Sequence, residues 1–280
     1  MNKLALFFIF VSSIELLGRE VQQSTFSYWN KPDINIFYSL PTSINENTKI
    51  LFIMHGVSRS AERYINDWLP LAEQRNVVLI APEFSKEFFP EYVYLMKTNS
   101  KGKKLKDVSL HLDDSLGLLF DFFKSKLNIS TLNFRLYGHS GGSQFVHRYL
   151  LLSEETRVEK AAMANAGFYT FANQTIGFPF GIKNMNVSNE RIKWFLNLKG
   201  GIFLGDADND PKHHSLPAMR KANKQGKHRF ERGTNFFNDL VNLGVESKMP
   251  FRWRYQTVPD VAHENPAMSL AASSFLLEDL

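Results

Sequence analysis

The sequence predicts a single α/β domain with a mostly parallel central sheet flanked by helices. Continuous apolar runs, such as Ile50–Met54 and Val77–Ala81, are typical of strands that are covered on both faces. A helix pattern lies between these two runs, and strand–helix–strand is the order of a parallel crossover unit. No internal repeat or low-complexity linker divides the 280 residues, which can bury one sizeable core.

The first elements follow from composition and spacing. Thr25–Tyr28 and Ile34–Tyr38 are rich in aromatic and β-branched residues, so they predict a pair of strands at a sheet edge. Ala61–Gln74 has a helical pattern, in which Pro70 predicts a break or kink. The strand that follows is expected to close at Pro82.

An aromatic-rich loop is predicted from Glu83 to Lys106, at the carboxyl end of a strand. Ligands bind at this edge in open α/β sheets. The aromatic residues either pack the loop or line a substrate cleft, and packing is slightly favoured. Val108–Leu127 then predicts one helix, because its apolar residues form a stripe; these are Leu112, Leu116, Leu119, Phe120 and Phe123.

The second half continues the alternation of strands and helices. Only Ala166–Gly200 separates two of its strands, which is too short for a large cap domain. Within it, Tyr169 and Phe171 follow the carboxyl end of a strand, and we expect them to bind substrate. The remaining predicted elements are strands at Leu132–Leu136, Val158–Asn165, Gly201–Leu204 and Phe251–Val258, and helices at Ser143–Leu152, Asn189–Leu198, Thr234–Leu243 and Pro266–Leu277.

Composition excludes several classes of protein. The chain has no cysteine, so a disulfide scaffold, a thiolate metal site and a cysteine nucleophile are excluded. The formal charge is +5, concentrated in Lys101–Lys106 and Lys212–Arg232. Neither segment has interleaved aromatic residues, so solvated loops are favoured and no nucleic-acid partner is expected. Weak attraction to an anionic surface or substrate stays open.

The amino terminus resembles a secretory signal peptide. Lys3 precedes an unbroken apolar run, Leu4–Val11, which is too short to span a bilayer. We therefore expect residues 1–18 to be removed, leaving 19–280 as a catalytic domain with no membrane span. A buried first strand or an uncleaved tether is the alternative. An exported protein without cysteine fits a bacterial periplasm or secreted fraction.

The central motif is Gly138-His139-Ser140-Gly141-Gly142. A strand precedes it and a helix pattern follows it at once, so Ser140 lies on a strand-to-helix turn. This is the context of a nucleophile elbow, in which glycines relieve clashes around a strained turn. The alternative is a flexible connection between the strand and the helix.

The order of polar residues favours the nucleophile. An acidic cluster follows a later strand and His263 follows the last one, which is the Ser, Asp, His order of α/β-hydrolase triads. From Ile34 to Leu280 the sequence resembles the α/β-hydrolase superfamily, in its bacterial esterase and polyester-depolymerase-like branch without a large cap. The residues that carry the resemblance are His55-Gly56, Gly138–Gly142, Gly205 with Asp208, and His263.

Chemistry predicts the roles in such a site. Ser140 needs a base, His263, and the imidazole needs a carboxylate partner. Asp206, Asp208 and Asp210 are all possible from spacing; the resemblance favours Asp208, three residues after Gly205. A calcium loop is discounted, because Pro211 and Pro217 occupy positions where that loop needs glycine and glutamate.

The oxyanion of an acyl-transfer intermediate needs two donors. The amide of Gly141 is one by its position after the nucleophile, and the amide of Val57 is the expected second. The other histidines are interpreted as structural or solvated. His55 is expected to orient the Val57 loop, His139 and His147 to pack, and His213 and His214 to lie in a solvated loop.

The sequence thus predicts an exported serine hydrolase that cleaves carboxylic esters through an acyl-enzyme. The aromatic stretches suggest an apolar acyl chain or polyester segment as the substrate. An amidase or peptidase with the same triad is the alternative, followed by a non-catalytic hydrolase-fold protein that binds a surface or partner. No metal or cofactor is expected, and no oligomeric state is predicted.

Overall fold

One eight-stranded sheet runs through the computed structural model, which describes residues 19–280. The predicted leader, residues 1–18, lies outside the described residues. The strand order is β1-β2-β4-β3-β5-β6-β7-β8; the pairs of β2 with β1 and β4 are antiparallel, and all other pairs are parallel. The strands are β1 (Gln22–Phe26), β2 (Ile34–Ser39), β3 (Lys49–Met54), β4 (Val77–Glu83), β5 (Phe134–His139), β6 (Val158–Ala164), β7 (Lys199–Gly205) and β8 (Arg254–Val258).

Helices cover both faces of the sheet. Helices α1 and α7 contribute to the apolar cluster on one face, and α2, α3, α4 and α6 to the cluster on the other. None of the helices in residues 19–280 is long and apolar enough to cross a membrane. The helices are α1 (Ala61–Trp68), α2 (Ser115–Lys126), α3 (Gly141–Leu152), α4 (Asn189–Asn197), α5 (Arg220–Asn223), α6 (Arg229–Ser247) and α7 (Asn265–Leu276).

The predicted α/β class is confirmed, and the topology explains where a site can form. From β3 the chain passes outward to β4, and it then returns to place β5 on the other side of β3. The carboxyl ends of β3 and β5 therefore meet at the point where the order reverses. In open α/β sheets the crevice at such a switch point is where ligands bind. Gly56–Val57 and Ser140 both lie there.

Two predicted boundaries near prolines have different outcomes. Helix α1 ends at Trp68, and a 3₁₀ turn begins at Pro70, as the proline predicts. The prediction that Pro82 closes β4 is wrong, since the strand continues to Glu83. Strand β3 pairs with β4 only as far as Ile80, so on that side Pro82 does not need the N–H that it lacks.

The helix predicted from Val108 begins instead at Ser115. A separate 3₁₀ turn covers Val108–Leu110, and Asp107 caps it by accepting from the Ser109 amide. Two carboxylates then hold the connection in place: Asp113 pairs with Lys97 at 2.7 Å and Asp114 with Lys31 at 2.8 Å. The five apolar residues predicted for the stripe are all buried.

Two later elements also differ from the pattern. Helix α6 begins at Arg229 rather than Thr234, because His228 caps it by accepting from the Glu231 amide at 3.3 Å. Strand β8 begins at Arg254 rather than Phe251. The preceding Trp253 instead donates its indole N–H to the Phe195 carbonyl at 2.7 Å, at the end of α4.

The aromatic loop after β4 packs inward. Phe84 and Tyr92 are fully buried and stack at 5.3 Å between ring centroids, and Tyr92 also stacks on Phe145 of α3 at 4.9 Å. Phe88, by contrast, is exposed. Of the two alternatives for this loop, packing is the one observed, and it gives the switch point a rigid wall.

Candidate active site

Ser140 lies at the turn between β5 and α3 in a strained conformation, with φ 56° and ψ −117°. A non-glycine residue adopts such angles only where its surroundings impose them. Here the Ser140 amide donates to the Ala164 carbonyl at 2.9 Å, and its carbonyl accepts from the Gln144 amide at 3.1 Å. A Cβ on Gly142 would lie 1.9 Å from the Met54 carbonyl oxygen. The turn is therefore possible only with glycine beside the strand.

Three loops bring Ser140, His263 and Asp208 into one hydrogen-bonded row. The Ser140 Oγ lies 2.9 Å from His263 Nε2, and His263 Nδ1 lies 2.7 Å from Asp208 Oδ2. A carboxylate can only accept, so Nδ1 carries the hydrogen and Nε2 is free to accept from the serine hydroxyl. Asp208 is buried, and the imidazole is partly exposed. The arrangement can move a proton from serine to histidine.

The three acids of the cluster have different partners. Only Asp208 contacts His263. Asp206 accepts from the Asp260 amide at 2.8 Å, which holds the turn ahead of the histidine, and Asp210 accepts from the Lys212 amide at 2.8 Å. The geometry places only Asp208 beside His263, and Asp208 is the acid that the resemblance favours among the three that spacing allows.

Asn165 ties the loops of the site together. It follows β6 with φ 46°, a conformation that asparagine tolerates better than most residues. Its Nδ2 donates to the Ala262 carbonyl at 3.1 Å, and its Oδ1 accepts from the Gly205 amide at 3.0 Å. It therefore connects the end of β7 to the residue before His263. The sequence analysis placed Asn165 within the predicted strand and gave it no role, whereas β6 ends at Ala164.

The amides of Val57 and Gly141 lie close together near Ser140. A Cβ built on Gly141 would lie 2.9 Å from the Val57 nitrogen, so the Val57 loop packs closely against the start of α3. Neither amide donates to a protein acceptor anywhere in residues 19–280. Two free donors at the start of a helix and on the facing loop suit a developing negative charge.

His55 holds the loop that carries Val57. Its Nδ1 donates to the Gly56 carbonyl at 3.0 Å, and its Nε2 accepts from the Phe84 amide at 3.0 Å. Burial lowers the pKa of His55 to about 3, so the ring stays neutral and keeps this tautomer. The ring has no free nitrogen with which to act as a base, in keeping with the orienting role predicted for it.

His139 packs directly behind the hydrogen-bonded row of Ser140, His263 and Asp208. Its ring lies 4.7 Å from that of His263, and its Nδ1 lies 3.1 Å from the Tyr64 hydroxyl. Burial, with the neighbouring His263 and arginine charges, holds the pKa of His139 well below its usual range. His147 is also buried, between the Ser143 carbonyl and the Thr170 amide. Both are neutral packing residues.

A cleft of about 350 Å³ opens over Ser140. His213 and His214 lie in a largely exposed loop, as expected, and they also line this cleft, with their rings stacked at 4.5 Å. His213 also lies 5.5 Å from the His263 ring. The local sequence did not indicate that the two histidines lie near Ser140, because the fold alone brings their loop over the site. Other residues that line the cleft and were not predicted are Ser58, Arg63, Tyr64, Ser215 and Asn265.

The structure places Tyr169 and Phe171 outside the residues that line this cleft. Tyr169 is fully buried, and its ring stacks on Phe236 of α6 at 4.4 Å. Phe171 meets the same Phe236 edge-on at 5.5 Å. Their aromatic surface is used in the packing of α6 against the sheet. A larger hollow, about 700 Å³, lies beside α2 and shares no lining residue with the cleft.

Arg229 is a functional candidate that the sequence analysis missed. It is buried, and its Nη1 donates to Asp208 Oδ1 at 3.1 Å, opposite the oxygen that meets His263. Burial lowers the pKa of Arg229, and the charge of Asp208 acts against that shift. The basic segment that contains it was interpreted as a solvated loop, and only its tertiary position reveals the ion pair.

Comparison with known proteins supplies the family. No protein-family model matches the sequence, and no curated protein sequence matches it significantly. Among solved structures, poly(aspartic acid) hydrolase-1 from Sphingomonas sp. KT-1 is 31% identical, with a TM-score of 0.85 over 93% of this chain and 99% of that one.

Two further structures share the fold at lower identity. A poly(3-hydroxybutyrate) depolymerase from Bordetella parapertussis is 23% identical, with a TM-score of 0.83 over 93% of this chain and 91% of that one. An S-formylglutathione hydrolase from Agrobacterium tumefaciens is 11% identical, with a TM-score of 0.59 over 92% and 94%. The chain therefore belongs to the α/β-hydrolase superfamily, in the branch of esterases and depolymerases.

Proposed function

We propose that this protein is a serine hydrolase that cleaves carboxylic esters through an acyl-enzyme intermediate. The observation that carries the proposal is the row Ser140 Oγ, His263 Nε2, His263 Nδ1 and Asp208 Oδ2, with contacts of 2.9 and 2.7 Å. A binding protein has no need for a serine held at φ 56° against a histidine base. Membership of a hydrolase family is consistent with it.

In the proposed reaction, Ser140 Oγ attacks the ester carbonyl while His263 Nε2 takes its proton. The new oxyanion accepts hydrogen bonds from the amides of Val57 and Gly141. Asp208 stabilises the imidazolium, which then protonates the departing alkoxide. A water repeats the sequence on the acyl-enzyme, with His263 again as base, and releases the acid.

The same three side chains can cleave either an ester or an amide bond. We place esters first because an alkoxide departs more readily than an amine, so the demands on His263 are smaller. An amide is the second candidate. It is favoured by the 31% identity to a hydrolase of poly(aspartic acid), whose residues are joined by amide bonds.

Labelling tests the nucleophile. A fluorophosphonate should form an adduct at Ser140 in the folded protein, mapped by peptide mass spectrometry. Ser140→Ala should abolish the adduct and lower kcat by at least about 10⁴-fold. Ser125→Ala is the matched control, since Ser125 is exposed on α2, lies outside the cleft and should keep both properties. A folded wild-type protein without adduct and without ester turnover would instead favour a binding role.

A substrate panel then tests the bond. Esters of rising acyl length, polyester films, aminoacyl amides and poly(aspartic acid) would be compared by kcat/KM with the same preparation. Turnover of esters alone would support the first candidate. Faster turnover of the amides, with Ser140 still labelled, would replace it with the second and leave the nucleophile unchanged.

We further propose that residues 1–18 are a signal peptide and that the protein is exported. The support is Lys3 followed by the apolar run Leu4–Val11. Expression of the full chain in a bacterium, with amino-terminal sequencing of the periplasmic and secreted fractions, tests this. Protein that keeps residue 1 and stays in the cytoplasm would contradict it.

A further inference from the structure

The carboxylate of Asp208 is held from two sides. One oxygen accepts from His263 and the other from Arg229 Nη1 at 3.1 Å, with the side chains of Arg229 and Asp208 1% and 3% exposed. Imidazole orientation needs only the first of these contacts. A full positive charge behind the acid is an additional feature, which calls for its own explanation.

The same guanidinium also reaches the wall of the cleft. Its Nη2 donates to Ser215 Oγ at 2.9 Å, and Ser215 Oγ lies 3.1 Å from His213 Nδ1. Since a guanidinium is planar and rigid, its two ends cannot move independently. The position of the Ser215 loop over the site is therefore coupled to the position of the triad carboxylate.

The backbone places Arg229 accurately. It is the first residue of α6, and the next amide, Phe230, donates to the Asp208 carbonyl at 3.2 Å. The start of a 19-residue helix is thus attached directly to the acid loop. The amino end of a helix also carries positive partial charge, which favours an anion there.

A purely stabilising role explains this arrangement poorly, because a buried ion pair contributes little to stability once both ions have lost their hydration. Its effect on the neighbouring imidazole is larger. A cation behind the carboxylate offsets part of the negative charge that Asp208 presents to the imidazole. The other titratable groups that face the pair are His139, His213, Tyr169 and Arg232.

We infer that Arg229 is a positioning residue, which orients Asp208, limits its hold on the His263 proton and fixes the Ser215–His213 wall of the cleft. The inference rests on the proposed function, because it concerns the base of that reaction. It adds a residue that acts through the triad without touching the substrate.

Arg229→Met tests the inference, with Arg232→Met as the matched control. Arg232 lies one turn further along α6 and is also fully buried. It donates to the carbonyls of Gly167, Pro217 and Gly226 and to the Asn223 side chain rather than to the triad. Both variants should unfold at lower temperature. Only Arg229→Met should move the acidic limb of the kcat/KM profile, upward by about one pH unit, with an activity at pH 7 about 10- to 100-fold lower.

Conservative variants separate charge from shape. Arg229→Lys keeps the charge and should keep the acidic limb near that of the wild type. Ser215→Ala removes only the hydrogen bond from Arg229 Nη2 to the cleft wall. It should therefore raise KM several-fold and leave the acidic limb of the kcat/KM profile unchanged. If Arg229→Met does not fold, Arg229→Gln serves instead, because it is neutral and can still bond to Asp208, and it should shift the limb in the same direction.

The outcomes are distinct. An unshifted limb in the neutral variants, with a loss of stability matching Arg232→Met, would overturn the inference and leave a structural role. A wild-type protein that is not labelled at Ser140 would remove the proposed function itself. Wild-type labelling at Ser140 together with an unshifted limb would remove the Arg229 role alone.

Discussion

Within residues 19–280, two clusters of ionic side chains lie at opposite ends of the parallel strands, and they are built in opposite ways. Beyond the carboxyl ends of the strands, Asp208 is sealed from water by Arg229. Near the amino ends of β5 and β6, the buried ions are the cations Arg135 and Lys160, and their shared partner Asp279 is about half exposed.

The two clusters differ in whether the carboxylate is buried or exposed to water, and this difference determines what each can do. At the amino edge, Arg135 Nη2 meets Asp279 at 2.9 Å and Lys160 meets it at 3.0 Å, which fastens the end of the chain while the acid keeps contact with water. At the carboxyl edge the acid has no solvent to screen it, so its charge acts on His263. Burial of the acid, more than the ion pair itself, distinguishes a chemical site from a structural anchor.

The largest effect is expected from Asp208→Asn. The amide leaves the shape unchanged but no longer stabilises an imidazolium, so kcat for an ester should fall about 10³- to 10⁴-fold. Asp210→Asn is the control, because Asp210 contacts only its own turn, and it should stay within about twofold of the wild type. Equal losses in the two variants would show that the acid has been misassigned.

An intermediate effect is expected from Gly56→Ala. A Cβ there would lie 2.7 Å from the Tyr64 hydroxyl and 3.7 Å from Ser140 Cβ, so the loop that carries the Val57 amide must shift. Partial loss of an oxyanion donor should lower kcat about 10- to 100-fold. Gly177→Ala, where an added Cβ meets nothing within 4 Å, provides the comparison by the same assay. Unchanged kcat in Gly56→Ala would argue against Val57 as a donor.

The smallest effect on activity is expected from Asp279→Asn, which should leave kcat/KM unchanged. It should lower the free energy of unfolding at pH 7 by about 1–2 kcal/mol, a modest figure because the acid is half exposed and screened. Denaturant titration measures this value. A loss of activity without a loss of stability would contradict the division between the two edges.

The contribution of Asp279 to the free energy of unfolding should depend on pH. Burial raises the pKa of Asp279, but hydrogen bonds and charges from Arg135 and Lys160 outweigh it and hold the pKa well below its usual range. A carboxyl group with a lowered folded-state pKa stabilises the protein above pH about 4, and this stabilisation is lost as the pH falls further. The wild type and Asp279→Asn should therefore converge in stability in acid.

Local signals in the sequence were sufficient for most of the elements and for the strand-to-helix turn at Ser140. The apolar runs identify the buried strands because a parallel sheet covered on both faces excludes polar residues along the whole strand. Gly138 and Gly142 mark the turn because a side chain there would collide with backbone less than 2.5 Å away. The Gly138 constraint acts between residues close in the chain, and the strand constraint is common to any strand covered on both faces, so both can be read without the fold.

Boundaries were less accessible, because they depend on partners far along the chain. Helix α2 begins late since Lys97 and Lys31 draw Asp113 and Asp114 into ion pairs. The residues just before β8 bond to α4: the Trp253 indole N–H donates to the Phe195 carbonyl, and the Arg252 amide donates to the Leu196 carbonyl. Neither partner is visible in a window of local sequence.

The sequence by itself determined the fold class, the elbow at Ser140 and the chain order of its partners. Spacing alone did not choose among Asp206, Asp208 and Asp210; the resemblance favoured Asp208, and the tertiary structure places it beside His263. Only the tertiary structure showed that Arg229 and His213 of the basic segment lie at the candidate site and that Tyr169 is buried. The physical reason is that an ion pair or hydrogen bond depends on distances of about 3 Å between atoms that are far apart in the chain. Composition and spacing carry no information about such distances until the sheet has brought the loops together.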